Sequence, residues 1–308
     1  TWNEGKVVDV EGYYEKAKIN HVYVDRVHVK KAFAEYTAAY NADDPKIKLK
    51  IDHTYRVAAL CERIAKAAGM CAYDVELAWL SGMLHDVGRF EQIKRYNTFS
   101  DADSVDHAKF GADLLFKDGL ISTFLNGMVK CTGYKPGALE DRYGSDGVFL
   151  YDRLNKSDME MLELAIRCHN MYRIPQGLNR REQAFCNVLR DADKVDIFKV
   201  NIDTPLEEIY NTTTEELMKS DITDEVLEAF DEEHCILKAI RRTPADTVIG
   251  HVSLAYELVY DESVRITVEQ GYLAKLMHFH SDNEETNRKM AMVREKMDSY
   301  VKKRIGEN

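Results

Sequence analysis

Histidines and carboxylates placed on the inward faces of helices are the residues of this chain whose spacing points to chemistry. His53 stands four residues before Val57 and seven before Leu60, on their stripe. His85 follows Leu84, with Ala78 and Ser81 behind it on the same face, and is joined directly to Asp86 just ahead of Gly88. His169 stands seven after Leu162 and three after Ile166, and Asp193 four after Leu189 and eight after Phe185. Three inward imidazoles and a buried carboxylate, on different helices, need partners. A divalent metal ion is the economical one, because neutral imidazole nitrogen and carboxylate oxygen suit Fe, Mn, Zn or Co. One inward histidine is ordinarily a satisfied core residue; several together, with the His85–Asp86 doublet, read as a ligand cluster.

The elements that must position these residues read as helices. Asp43-Asp44-Pro45 is a helix start, with aspartate as cap and proline in the first turn. Val57, Leu60, Cys61, Ile64 and Ala68 then share one face, and Gly69 ends that helix. Asp74 is expected to cap the next, with Leu77, Leu80, Leu84 and Val87 running to Gly88. Ser104 is expected to cap a third, with Val105, Ala108, Ala112 and Leu115. Ser157-Asp158 starts a fourth carrying Leu162, Ala165 and Ile166. A fifth runs from Glu182 to Val200 with Phe185, Val188, Leu189, Ala192 and Val195. Ahead of these, VYVDRVHV reads as a short strand and Val27 to Tyr40 as helix. Residues 131–157, rich in Gly, Tyr and charge, read as a loop insertion in which Tyr134, Tyr143 and Tyr151 supply aromatic surface. Beyond 200 the pattern stays helical: Thr204-Pro205 and Thr214-Glu215 are starts, and Ile249, Val252, Tyr256 and Val259 form one face. From Asn283 a stripe of Met290, Val293, Met297 and Tyr300 reads as core or subunit contact. The expected organisation is one helical domain over 1–308, with a core at 45–200 and a helical extension at 201–308.

Composition narrows the class. The 308 residues hold 42 Lys+Arg against 53 Asp+Glu, a formal charge of −11, which argues against a protein that coats nucleic-acid polymers. It leaves room for a small phosphorylated substrate, because a bound metal supplies positive charge locally. With Gly at 16 and Pro at 5, turns are sparse and long helices are expected, so the fold class is all-α. There is no GxGxxG and no GxxxxGK[ST], so the usual phosphate loops are missing. No run approaches about 20 apolar residues, so no membrane association is expected. The opening TWNEGKVVDVEGYY is polar and unlike a signal peptide. Six cysteines without a CxxC pair read as reduced thiols, and a cytoplasmic location is expected.

Five ordered segments resemble the HD-domain superfamily of metal-dependent phosphohydrolases: IDHTYRVAAL, LSGMLHDVGRF, SVDHAKFGADLL, LAIRCHN and VLRDADKVDIF. The resemblance covers roughly residues 45–200 and implies a helical bundle with extra helices at both ends. Position by position, the first ligand falls on His53, the signature doublet on His85 and Asp86, and the late aspartate on Asp193. The further histidines of binuclear members fall on His107 and His169. The resemblance thus implies two divalent ions (Fe, Mn, Zn, Co or Mg) with Asp86 bridging and a metal-activated water as nucleophile, in an arrangement able to clamp both oxygens of a phosphoryl transfer. It departs from the related HD-GYP cyclic-dinucleotide phosphodiesterases at His169-Asn170, where they carry two histidines, and their GYP loop is not matched. Arg89 takes a place that is Lys in many members, and its guanidinium can still hold phosphate.

Asp86, Arg89 and Lys194 are expected to act in catalysis, and Arg56, Arg89, Arg190 and Lys194 to bind substrate. Arg190 and Lys194 have a plainer reading as partners of Asp191 or Asp196, and Asp196 reads as a supporting residue rather than a ligand. Two histidines at His278 and His280 fall on different sides of a helix and read as ordinary. The expected activity is hydrolysis of a nucleotide or phosphomonoester, with a small phosphorylated substrate as partner and self-association left open. The alternative is a di-iron oxygenase, since some HD-fold oxygenases use the same ligand order. A sensor without activity is the third reading, disfavoured because no ligand is lost.

Overall fold

Asp44 caps and Pro45 begins a helix of 23 residues, as the Asp-Asp-Pro run predicts: the Asp44 carboxylate accepts from the Lys46 amide at 2.8 Å. That helix carries His53. The computed structural model describes residues 2–3, 6–7, 21–41, 43–125, 129–132 and 156–306. Among these the fold is all-α, with two small antiparallel two-stranded ribbons added. The chain divides into two compact units, Thr1–Leu189 and Arg190–Asn308.

In chain order the first unit holds β1 (Trp2–Asn3), β2 (Lys6–Val7), β3 (His21–Val24), α1 (Arg26–Thr37), α2 (Pro45–Ala67), α3 (Ala72–Leu84), α4 (Val87–Tyr96) and α5 (His107–Ala112). A π-helical turn, Asp113–Lys117, continues α5. Next come α6 (Ile121–Leu125), β4 (Val129–Thr132), α7 (Lys156–Cys168) and α8 (Arg180–Asp203), inside which the boundary between units falls. β1 pairs with β2, and β3 with β4 in the register His21 opposite Thr132. The short strand read at VYVDRVHV is therefore real, but it stops at Val24 and Asp25 caps α1.

The predicted stripes are the core of this unit. Val57, Ile64, Leu77, Leu80, Leu84, Leu162 and Ile166 are fully buried, and α2 packs along α3 while α5 packs on α4 and α7. A charged knot ties the ends of three helices: Arg181 donates to Asp74 at 2.6 Å and to the buried Asp158 at 2.6 Å, and Tyr73 donates to Asp158 at 2.7 Å. Burial alone would lower the Arg181 pKa, but the two carboxylates more than reverse this.

Several local expectations are corrected. Asp74 does not cap α3; Cys71 holds that position, and Asp74 is taken by Arg181. Ser104 does not cap α5; Asp106 does, accepting from the Lys109 amide, while Ser104 accepts from Gln92. Gly88 is not a helix stop. The break between α3 and α4 falls on His85 and Asp86 themselves, and Gly88 lies inside α4. Of the expected loop at 131–157, residues 131–132 belong to β4 and 156–157 to α7, and 133–155, with Tyr134, Tyr143 and Tyr151, lie outside the described residues.

The second unit continues with α9 (Leu206–Tyr210), α10 (Thr214–Lys219), α11 (Asp224–Asp231), α12 (Pro244–Val252), α13 (Asp261–Gln270), α14 (Tyr272–Met277) and α15 (Glu284–Ile305). Capping boxes open α10 at Thr213 and α12 at Thr243, and Asn283 caps α15 as its sequence suggests. Met290, Val293 and Met297 are core of this unit. The face expected to reach Val259 ends earlier: α12 stops at Val252, and Val259 is exposed. The described cysteines, Cys61, Cys71, Cys168, Cys186 and Cys235, are free thiols. No described helix is long and apolar enough to cross a membrane.

Candidate metal centre

The break between α3 and α4 creates the centre. His85 ends α3 and Asp86 sits at the N-cap of α4, yet its carboxylate makes no capping hydrogen bond. An aspartate at that position normally accepts from the first amides of the helix. Here it is turned into the interior, only 2% exposed, among four imidazoles. His53 comes from α2, His107 is the first residue of α5, and His169 directly follows α7; all are buried.

Each oxygen of Asp86 faces its own pair of rings. Oδ2 lies 3.6 Å from His53 Nε2 and 3.6 Å from His85 Nε2. Oδ1 lies 3.5 Å from His107 Nε2 and 3.7 Å from His169 Nε2. Within the pairs, His53 Nε2 and His85 Nε2 are 3.3 Å apart, and His107 Nε2 and His169 Nε2 are 3.0 Å apart. Donor atoms sharing one ion at bonds of about 2.1 Å stand roughly 3.0–3.4 Å apart, so both spacings suit a common ion. Two triads with ligand atoms within 4.8 Å result, His53–His85–Asp86 and Asp86–His107–His169, joined at Asp86.

The tautomers strengthen this. His85 Nδ1 donates to the Gly82 carbonyl at 2.8 Å, His169 Nδ1 to the Ile166 carbonyl at 2.7 Å, and His107 Nδ1 to Asp101 at 2.7 Å. Carbonyl and carboxylate oxygens only accept, so each Nδ1 carries the proton and each Nε2 presents a lone pair. Two lone pairs 3.0 Å apart, at His107 and His169, repel unless a cation lies between them. A proton does not fill that role near neutrality: burial first, then the Arg89 charge, bring the His107 pKa down to about 4, against the opposing pull of Asp101 and Asp86. Asp86 Oδ1 is buried without any hydrogen-bond partner. An orphaned carboxylate oxygen and a set of converging lone pairs are what a metal ion would satisfy, and the residues fit one.

Burial opposes charge on Asp86, but Lys50, His85, His107 and Arg89 hold its carboxyl well below the usual carboxylate range. Lys50 is the nearest cation, its Nζ 2.7 Å from Asp86 Oδ2 and 5.5 Å from the Phe99 ring. Sequence reasoning missed Lys50, although it lies one helical turn before His53. It also missed Asp101, which sits in a loop without periodicity. Arg89 is spent differently from expectation: its Nη1 donates to Gln92, to the Phe99 carbonyl and to Asp101, and its buried Nε lies 3.8 Å from Asp86 Oδ1. Arg56 is half-buried on α2.

The remaining expected residues lie on α8 beyond the unit boundary. Asp193 is half-buried there and is not in either triad. Its neighbour Asp191 is fully committed, accepting from the Val259 and Tyr260 amides and from the Ser263 hydroxyl at the start of α13. Lys194 is buried, which lowers its pKa together with repulsion from Arg190, against Asp191, Asp193 and Glu257. Arg190 is 3.6 Å from Glu257, and Asp196 is 1% exposed.

A pH dependence follows for the metal-free protein. His107 is neutral in the fold down to about 4 but titrates near 6.5 when unfolded. Between those values the unfolded chain binds a proton that the folded chain refuses, so stability falls as pH drops from 6.5 to 4 and levels off below. The full shift corresponds to roughly 3 kcal/mol. Chelator-treated protein unfolded in urea across this window gives the measurement, and a flat profile would contradict the burial of a neutral His107.

Residues 51–198 match the family model described as HD domain. No curated protein and no solved structure matches the chain.

Proposed function

We propose, from the premise that this chain carries an HD domain of the metal-dependent hydrolase superfamily, that it is a phosphohydrolase of small phosphorylated compounds, a nucleotide or phosphomonoester. The observation that carries this reading is Asp86, whose two oxygens each face a separate pair of imidazole Nε2 atoms. His53, His85 and Asp86 would hold one divalent ion, and Asp86, His107 and His169 a second. Bound there, such ions supply Lewis acidity and lower the pKa of water toward neutrality. The chain's own residues do the rest. Gly82 and Ile166 carbonyls fix His85 and His169 with their Nε2 unprotonated and aimed inward. Lys50 brings a cation to the edge of Asp86, where it balances phosphate charge, and Arg56 is proposed to add to it. Burial of all four rings keeps bulk water from competing for the donors. No serine or cysteine nucleophile is required.

The test is metal content and turnover. Purified protein is expected to carry close to two divalent ions per chain and to release phosphate from some member of a nucleotide and phosphomonoester panel with Mn²⁺ or Fe²⁺. Oxygen uptake by the reduced iron form, with no phosphate release under any metal, would instead establish the oxygenase reading and overturn this one.

A further inference from the structure

We infer that Asp101, on the 97–106 loop, is the positioning residue that holds the His107–His169 half of the metal centre in its binding geometry. The inference rests on the two-ion reading above. Asp101 accepts from His107 Nδ1 at 2.7 and 2.9 Å, from Arg89 Nη1 at 2.9 Å, from Gln92 Nε2 at 3.0 Å and from Asn170 Nδ2 at 3.3 Å. These partners are one proposed ligand of that half, the residue next to its other histidine, the arginine three residues after the shared Asp86, and Gln92 on the same helix as that arginine. None of them lies on α2. Asp101 therefore fixes one half of the centre and leaves the other to the Gly82 carbonyl and α2.

The physics is that of a carboxylate behind a ligating imidazole. Accepting the Nδ1 proton fixes the tautomer, orients the ring and raises the basicity of Nε2. Asp101 also neutralises Arg89, whose positive charge otherwise bears on His107. Asp101, Asp106 and His107 could themselves group around an ion, but that would need the Nδ1 lone pair. Asp106 is occupied besides, capping α5 and binding Lys109 and Asn170. The proton on Nδ1 makes Asp101 an acceptor behind the centre rather than a ligand in it.

Asp101→Asn tests this by stepwise titration of chelator-treated full-length protein with Mn²⁺, read by calorimetry and by the spin-coupled Mn²⁺ signal. The expected result is one binding step unchanged, the other weakened about 10–100-fold, loss of spin coupling at limiting metal, and partial recovery in Asp101→Glu. A carboxylate 31% exposed in a loop is replaceable without loss of fold, which circular dichroism checks. Two unchanged steps in Asp101→Asn, or equal weakening of both, would overturn the inference while leaving the two-ion reading intact. Wild-type protein binding fewer than two ions would overturn that reading and the inference with it.

Discussion

Asp86→Asn is expected to release both ions and to abolish turnover while the chain stays folded. Asparagine keeps the size of the side chain but presents one neutral oxygen where the structure has two anionic ones, each facing a different histidine pair. Whichever way the amide turns, one pair of Nε2 atoms faces an NH₂ group, which cannot ligate. Several kcal/mol of transition-state charge stabilisation goes with the ions, about a thousandfold or more in rate. His85→Ala is the informative contrast. It touches the His53 pair alone, so one ion should remain at His107 and His169. The fold should tolerate Asp86→Asn, because the native carboxylate is itself buried with one oxygen unpaired and makes no capping bond that the helix would miss. Metal analysis and circular dichroism on the same samples decide the matter. Two ions retained, or wild-type turnover, in Asp86→Asn would refute the bridging role.

The sequence already displayed much of this centre, for a definable reason. His53, His85 and His169 announce themselves because a titratable ring on an apolar helical stripe is anomalous, and periodicity makes the anomaly visible. Asp86 was visible as part of the doublet, and His107 through the family resemblance alone, since it opens its helix and has no preceding turn to give it a phase. Lys50 was invisible because a lysine in the second turn of a helix usually faces water; only the fold reveals that this turn ends over Asp86. Asp101 was invisible because its importance lies in pairings across the chain, to Arg89 and Asn170, in a loop where spacing carries no direction. Arg89 reads from the sequence as a residue beside the centre that binds substrate phosphate, and its inward pairings are not visible there. The loop carbonyl of Phe99 and the Asp101 carboxylate, which draw it inward, are tertiary facts. The division of the chain at Leu189 was hidden for a similar reason: it falls inside a continuous helix, where composition does not change.

Gly88→Ala puts local propensity and tertiary packing in direct opposition, and packing should win. Gly88 lies inside α4, where alanine ordinarily gains about 1 kcal/mol over glycine. But a Cβ there would stand 2.5 Å from the His107 carbonyl oxygen, 2.7 Å from the Gly111 amide nitrogen and 2.9 Å from the Gly111 Cα. All three are backbone atoms of α5, so no side chain can swing aside. The reciprocal approach is less tight but still close, a Cβ on Gly111 coming within 3.0 Å of the Gly88 amide nitrogen. The two helices touch backbone to backbone, and a methyl group must push α5 away from α4. Overpacking of this kind costs about 1–3 kcal/mol, occasionally more, which outweighs the propensity gain. The displaced element begins with His107, and α4 begins just after Asp86, so the wedge also separates two proposed ligands now 3.5 Å apart. The expected phenotype is thus double: a lower midpoint in urea, and a selective loss of the ion at His107 and His169 while the His53–His85 step survives. Gly88→Val should deepen both effects, because a branched side chain demands still more room. The two readouts separate the causes. General loosening of the fold would weaken both metal-binding steps together, whereas a displaced α5 weakens one. Gly88→Ala protein as stable as wild type and binding both ions normally would show that the helices are not in backbone contact, and that something other than this crossing sets the distance between Asp86 and His107.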